Sequence, residues 1–275
     1  MSLTREQMLA EMGIAPLWVR REVVDPAAVE AADGSLPAEI SEAVPELPQR
    51  AGLPDAPLSE TPSSVASEAP QALGEDSGRA ARLSRLDWPE LVAEIKDCRA
   101  CGLCERRTQA VPGVGDLNAD WLFIGEGPGA EEAERGEPFV GQAGRLLDAM
   151  LAAINLARGE NVYIANAVKC RPPNNRTPEA GEMALCRPFL TRQIALIQPR
   201  LIVLLGRAAV QSVLGGDASL ASLRGKTLYY RADGLEIPVL VTYHPAYLLR
   251  TLPDKAKAWE DLCRARALMG ADSGA

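Results

Sequence analysis

Trp121-Leu-Phe-Ile-Gly-Glu-Gly-Pro-Gly129, with Pro138-Phe-Val-Gly-Gln-Ala-Gly144 close behind it, decides how this chain reads. A short apolar run ends in a turn that carries three glycines, a proline and the carboxylate of Glu126. Gly125, Gly127 and Gly129 let the backbone take positive φ and press against a ligand. Val140 and the glycines around Gln142 lead into an amphipathic helix, with Leu146, Leu147, Met150, Leu151 and Ile154 at helical spacing. Strand, glycine turn and helix start together make a cradle for a planar ring or an anion. Without a ligand, the same segment is a tight βα turn.

The alternation continues on either side. Strands are predicted at 120–125, 161–168, 200–206 and 237–243, and helices at 142–156, 178–198, 207–214 and 254–269. An earlier helix from Leu86 to Asp97 turns Trp88, Leu91, Val92 and Ile95 inward. Strands alternating with helices imply an α/β fold with a parallel sheet covered on both faces. Ligands in such folds bind at the carboxyl ends of the strands. The glycine turn, Asn166 and His244 all fall at such ends, which points to a single site.

Charge divides the chain in two. Residues 1–80 hold five basic and fourteen acidic side chains, whereas 81–275 hold twenty-four and twenty-three. The acidity therefore belongs to the first part, and the arginine-rich remainder is free to form a local basic face. Residues 23–80, rich in Ala, Pro, Ser and Glu, cannot bury enough apolar surface to offset ordering and read as a disordered acidic linker. Ahead of it, residues 1–22 combine a capped helix (Thr4, Gln7, Met8, Leu9, Met12) with the apolar run Ile14, Leu17, Trp18 and Val19. On a flexible tether this is a candidate docking peptide for a replication or repair protein, or it packs on the chain's own domain. Its short stretch resembles the N-terminal peptide of replicative clamp-loader psi subunits. Residues 81–270 form the globular domain. No apolar run is long enough to span a bilayer and no export pattern opens the chain, so a cytoplasmic, monomeric protein with no membrane association is expected.

In a cytoplasmic chain the six cysteines are poor candidates for disulfides. Cys98 and Cys101 stand one helical turn apart, Cys170 follows the second predicted strand, and Cys186 lies sixteen residues further on. Four soft ligands of this kind suit a cubane iron–sulfur cluster or a tetrahedral zinc, and spacing does not choose between them. Cys104 is a rival ligand, and Cys263 reads as a core residue of the last helix. The chain's one histidine, in Tyr243-His-Pro-Ala-Tyr-Leu-Leu-Arg250, directly follows an apolar strand. Proline stiffens the next position, as suits a catalytic group. Tyr247, Leu248 and Leu249 with Arg250 make an apolar tip beside a cation, the kind of wedge used to unstack bases.

GEGPG at 125–129, PFVGQAG at 138–144, NAVKCRPP at 166–173 and HPAYLLR at 244–250 resemble the family 4 uracil-DNA glycosylases, over about residues 86–266. The resemblance implies a three-layer α/β/α sandwich around a four-stranded parallel sheet. It implies a [4Fe–4S] cluster on Cys98, Cys101, Cys170 and Cys186, with Cys104 spare and zinc the lesser alternative. It implies removal of uracil from DNA to leave an abasic site, as in base excision repair. By the same carry-over Phe139 stacks on the flipped uracil and Asn166 reads its edge. His244 stabilises charge on the leaving base, and amides at Gly125 and Gly129 help with that charge and grip phosphates. Glu132 stands where it would crowd the base C5 position. Gly127 occupies the place where the best-known uracil glycosylases carry an aspartate, which leaves Glu126 as the candidate to activate water. Cations near the site, Lys169, Arg171, Arg176 and Arg250, are candidate DNA contacts. Two other readings stay open: a same-fold glycosylase for hypoxanthine or xanthine, and a non-catalytic iron–sulfur protein that binds DNA.

Overall fold

The computed structural model describes residues 72–271 apart from 217 and 233. They belong to one compact unit. The expectations for the docking peptide at 1–22, and for most of the acidic linker, lie outside the described residues.

Five-residue apolar runs form the centre. β2 (Trp121–Gly125), β3 (Val162–Asn166) and β4 (Leu201–Leu205) are buried at every position. Such unbroken burial is what a parallel strand covered on both faces requires. With β6 (Leu235–Thr242) they make four parallel strands in the order β3-β2-β4-β6. The sheet has six strands rather than the expected four. Antiparallel β1 (Val114–Gly115) edges β3, and antiparallel β5 (Leu228–Ala232) edges β6. β1 is two residues long and carries no readable period. β5 pairs with Leu235–Val239 of β6, a stretch that begins two residues ahead of the predicted apolar run at 237–243.

Side-chain alternation sends Trp121 and Phe123 to one face, and Leu122 and Ile124 to the other. The first face packs on α4 (Gln142–Ala153) and α9 (Asp254–Ala271), through Leu147, Met150, Leu151, Ala258 and Leu262. The second packs on α5 (Ala180–Ile197) and α6 (Arg207–Leu214), through Leu190, Ile194, Ala209 and Val210. The result is a three-layer α/β/α sandwich. The predicted stripe of α4 is buried as expected, from Leu146 to Ile154.

A third apolar cluster lies at one side. α1 (Ala72–Leu83) and α2 (Trp88–Asp97) bring Leu83, Leu91 and Ile95, all fully buried, against Cys170, Cys186 and Phe189. α2 starts at a capping box in which Asp87 accepts from the Glu90 amide and Glu90 returns the bond to the Asp87 amide. Helical chain thus begins nine residues before the boundary expected at 81, because Leu83 gives α1 an apolar anchor that composition alone does not reveal. Cys263, expected in the core, is exposed on α9.

Candidate active site

Three strands of the sheet end together. Gly125 and Asn166 are register partners at the ends of β2 and β3, and His244 lies two residues past β6. A cleft of about 760 Å³ opens above these ends. Its walls include Glu126, Gly127, Gly129, Glu132, Phe139, Tyr243, His244, Tyr247 and Arg250.

The glycines of the turn work by their lack of a side chain. None of Gly125, Gly127 and Gly129 takes positive φ, contrary to the expectation. A Cβ on Gly125 would lie 2.5 Å from both Asn166 Oδ1 and Phe139 Cζ. The position is therefore reserved for those two side chains, which meet over it. At Gly127 a Cβ would stand 2.7 Å from Val168 Cγ2, so an aspartate here requires the buried Val168 side chain to shift.

Left-handed backbone occurs instead at Phe139, with φ of 57°. A conformation of this kind costs a non-glycine residue roughly 1–2 kcal/mol. Its surroundings hold it there. Glu132 Oε1 accepts from the Phe139 amide, and Oε2 from the Gly129 amide, both at 2.6 Å. Arg158 donates to the carbonyls of Pro138 and Phe139 at 2.8 and 2.7 Å. Glu132 thus organises the loop with both carboxylate oxygens, while still standing in the cleft wall. Burial pushes its carboxyl above the usual range, against the pull of the two amides and of the Arg158 charge.

The Phe139 ring lies 5.4 Å from the His244 ring, at an interplanar angle of 29°. Insertion of a third ring between them would need about 7 Å, twice an ordinary carbon–carbon contact. The two rings therefore leave no room for a third between them. Asn166 is 2% exposed, and neither its amide nitrogen nor its oxygen has a protein partner. A buried amide with both of its polar atoms unpaired within the chain is rare and calls for a partner from outside it.

His244 caps the short helix α8 (Pro245–Leu248). Its Nδ1 accepts from the Ala246 amide at 3.2 Å, which leaves the proton on Nε2. Burial, and then the nearby Arg250 charge, lower its pKa to about 4. The imidazole is a neutral donor. Glu126 is held above the ordinary carboxylate range by burial, partly opposed by a hydrogen bond with Thr177.

The expected DNA contacts divide. Arg250 is exposed at the cleft. Arg176 lines the cleft but is tied to Glu182 in a forked pair at 2.6 and 2.9 Å, and Arg171 donates to Asn175. Lys169 is not a surface cation: it is 1% exposed and its Nζ donates to the Asn166 carbonyl at 2.8 Å. Leu248, expected in the apolar tip, is fully buried in the main core, and Leu249 is exposed in its place. Tyr247 lines the cleft and donates its hydroxyl to Asp254 at 2.6 Å. Sequence reasoning passes over Arg158, Thr177 and Gly206. The signal for Gly206 is its place after β4; a Cβ there would come within 3.1 Å of His244 Cβ.

The cysteines gather elsewhere, around a small cavity of about 10 Å³ lined by the end of α2, the loop after β3 and α5. Cys98, Cys101, Cys170 and Cys186 line it, and Cys104 does too. Arg107 donates to Cys170 Sγ at 3.0 Å, the Lys169 amide to Cys186 Sγ at 3.3 Å, and Arg79 approaches Cys98 Sγ at 3.7 Å. Burial raises the thiols of Cys101, Cys170 and Cys186, the last to about 12. Among the described residues no group of three or more His, Cys, Asp or Glu is close enough to hold a single metal ion. No described helix is long and apolar enough to cross a membrane.

A sequence profile described as the uracil DNA glycosylase superfamily matches residues 112–263. The type-4 uracil-DNA glycosylase of Archaeoglobus fulgidus is 44% identical over 164 residues, covering 58% of this chain and 82% of that protein. That of Thermotoga maritima is 42% identical over 190 residues, covering 68% and 97%. A type-5 uracil-DNA glycosylase of Pyrobaculum aerophilum is 32% identical over 154 residues, covering 50% and 66%.

Proposed function

Since this chain belongs to the type-4 group of the uracil DNA glycosylase superfamily, we propose that it draws uracil out of DNA into the cleft above β2, β3 and β6. There it hydrolyses the N-glycosidic bond and leaves an abasic site. The observation that carries this reading is the buried, unpartnered amide of Asn166 next to Phe139, whose ring in turn lies against His244. An amide NH₂ donates to uracil O4 while its oxygen accepts from N3–H. Cytosine offers the opposite pattern and would leave both groups unsatisfied in a closed place, which costs several-fold more than a weak contact returns. Phe139 supplies the stacking face.

Bond cleavage builds negative charge on the base and oxocarbenium character on the sugar. The neutral His244, with its proton on Nε2, donates to the departing base as charge grows there. Glu126, the carboxylate next to Gly127, orders the attacking water when ionised. Arg250, which lines the cleft, meets phosphate, and the exposed Leu249 next to it in sequence fills the space the base vacated.

Cys98, Cys101, Cys170 and Cys186 would hold a [4Fe–4S] cluster. The fit rests on these four cysteines, with Cys104, lining one small cavity, and on N–H donors aimed at three of the four sulfurs. Buried thiols also need a positive centre to ionise. Held there, it would supply cross-linking, because its ligands come from the end of α2, the loop after β3 and α5.

Purified holoprotein incubated with oligonucleotides carrying a single uracil, hypoxanthine, xanthine or thymine, then treated with alkali, tests the reading. Strand breaks at uracil and none at thymine are expected. Intact strands throughout would leave only a DNA-binding role, and breaks confined to a purine lesion would reassign the substrate.

A further inference from the structure

We propose that Arg158 is a positioning residue for excision, acting through the backbone of Phe139; this rests on reading Phe139 as the ring on which the base stacks. Arg158 lies in the turn after α4 and does not line the cleft. Its guanidinium forks between two consecutive carbonyls, Nη1 to Pro138 and Nη2 to Phe139. Asp148 Oδ1 accepts from Nε at 3.1 Å and from Nη2 at 2.9 Å, and Glu137 adds a charge at 3.6 Å. The donor is therefore itself oriented before it meets the loop.

Phe139 needs that help because its φ of 57° is one that side-chain-bearing residues seldom adopt. Glu132 pins the amide of this residue and Arg158 pins its carbonyl, so the peptide planes on both sides are fixed. Helix α4 offers room for that carbonyl only because Gly144 has no Cβ; one would fall 1.7 Å from the Phe139 oxygen. Rotation of φ toward ordinary values swings Cβ and the ring together. The ring would leave its place over Gly125 and beside His244, and the base would lose its platform. Arginine suits the task because its planar fork serves two carbonyls at once, which an ammonium does not.

Single-turnover uracil excision by the holoprotein, with Arg158→Gln and Arg158→Lys in the natural and Phe139→Leu backgrounds, is the test. Arg158→Gln is expected to slow excision roughly tenfold or more, as a small misplacement of a reacting group does. Arg158→Lys falls between. With Phe139→Leu already present, the same change adds less than about twofold, since coupled residues are not additive. Affinity for a duplex bearing an abasic analogue stays as it was, which a general loosening of the fold would not allow. An unchanged rate in Arg158→Gln, or an equal loss in both backgrounds, overturns the assignment. Should Arg158→Gln fail to fold, Asp148→Asn leaves the guanidinium in place but unanchored. That variant enters the same comparison, where a loss confined to the natural background supports the assignment and an unchanged rate or an equal loss overturns it. A natural protein that releases no uracil at all defeats the functional reading instead and is recognised in the control lane.

Discussion

Asn166 shows most directly how function is set against stability at a single residue. Its amide is buried at a strand end with no partner, a condition that costs roughly 1–3 kcal/mol in the free protein. Asn166→Val fits the strand and removes the unpaired atoms. We expect its melting temperature to hold or rise by a few degrees while uracil excision falls roughly 10–100-fold or more. A melting temperature that drops together with activity would show that the amide is satisfied in the free protein. His244 gives a second test at this scale, made simple because it is the chain's one histidine. Its folded pKa, about 4, lies below the unfolded value of about 6.5. The folded imidazole should stay neutral, with its proton on Nε2, until well below pH 5. The unfolded chain takes up a proton first as pH falls through about 6.5, so stability is lost from there down toward 4. Nitrogen-15 spectra of the imidazole and melting curves between pH 4 and 8 check both. A titration near 6.5 in the folded protein, or a proton on Nδ1, would remove the neutral donor from the mechanism.

Among the elements, α1 is the one whose purpose the sequence hides. It brings Leu83 into the cluster that contains Cys170 and Cys186, and it carries Arg79. That guanidinium donates to the Leu185 carbonyl at 2.7 Å, lies 4.8 Å from the Phe189 ring centre and approaches Cys98. α1 therefore packs against the elements that carry Cys98 and Cys186. Leu83→Ala should cost about 2–5 kcal/mol, as for other fully buried leucines. A comparable loss at Leu262, in the separate core under α9, is the control. With the proposed cluster loaded, Leu83→Ala is expected to release iron faster than Leu262→Ala, followed by visible absorbance and iron content; equal rates would deny α1 that role. The elements that can be read in advance are the long periodic ones. The stripe of α4, the runs of β2 and β4, and α6 from 207 to 214 each repeat a pattern over several residues. A four-residue helix such as α8 has no such repeat. Tyr247-Leu-Leu249 therefore cannot reveal which leucine enters the core, and the exposed tip falls one residue later than the pattern suggests. Lys169 misleads for a different reason: a lysine between a strand and a cysteine is ordinarily exposed, and only tertiary packing directs its ammonium onto the Asn166 carbonyl. Arg158 and Glu132 act through partners seven to twenty residues away, contacts that no local period encodes.

At the level of the whole molecule, charge and pocket belong to different parts of the chain. The acidic excess lies in residues 1–80, and the near-neutral remainder keeps Arg250 at the mouth of the cleft. The convergence of three strand ends is legible because βα alternation fixes where strands finish, whatever the loops do. The backbone at Phe139 is not, since a left-handed phenylalanine exists only by virtue of its neighbours. Gly125 and Asn166 sit opposite each other on adjacent parallel strands. The amide proposed to read the base, and the floor under the proposed aromatic platform, are thus fastened to the hydrogen-bonded centre of the sheet, where they have little freedom to yield to an awkward guest. Deformation must then come from the nucleic acid, and turnover should follow how readily each lesion leaves its helix: quickest from unpaired strands, slower from a wobble pair with guanine, slowest opposite adenine.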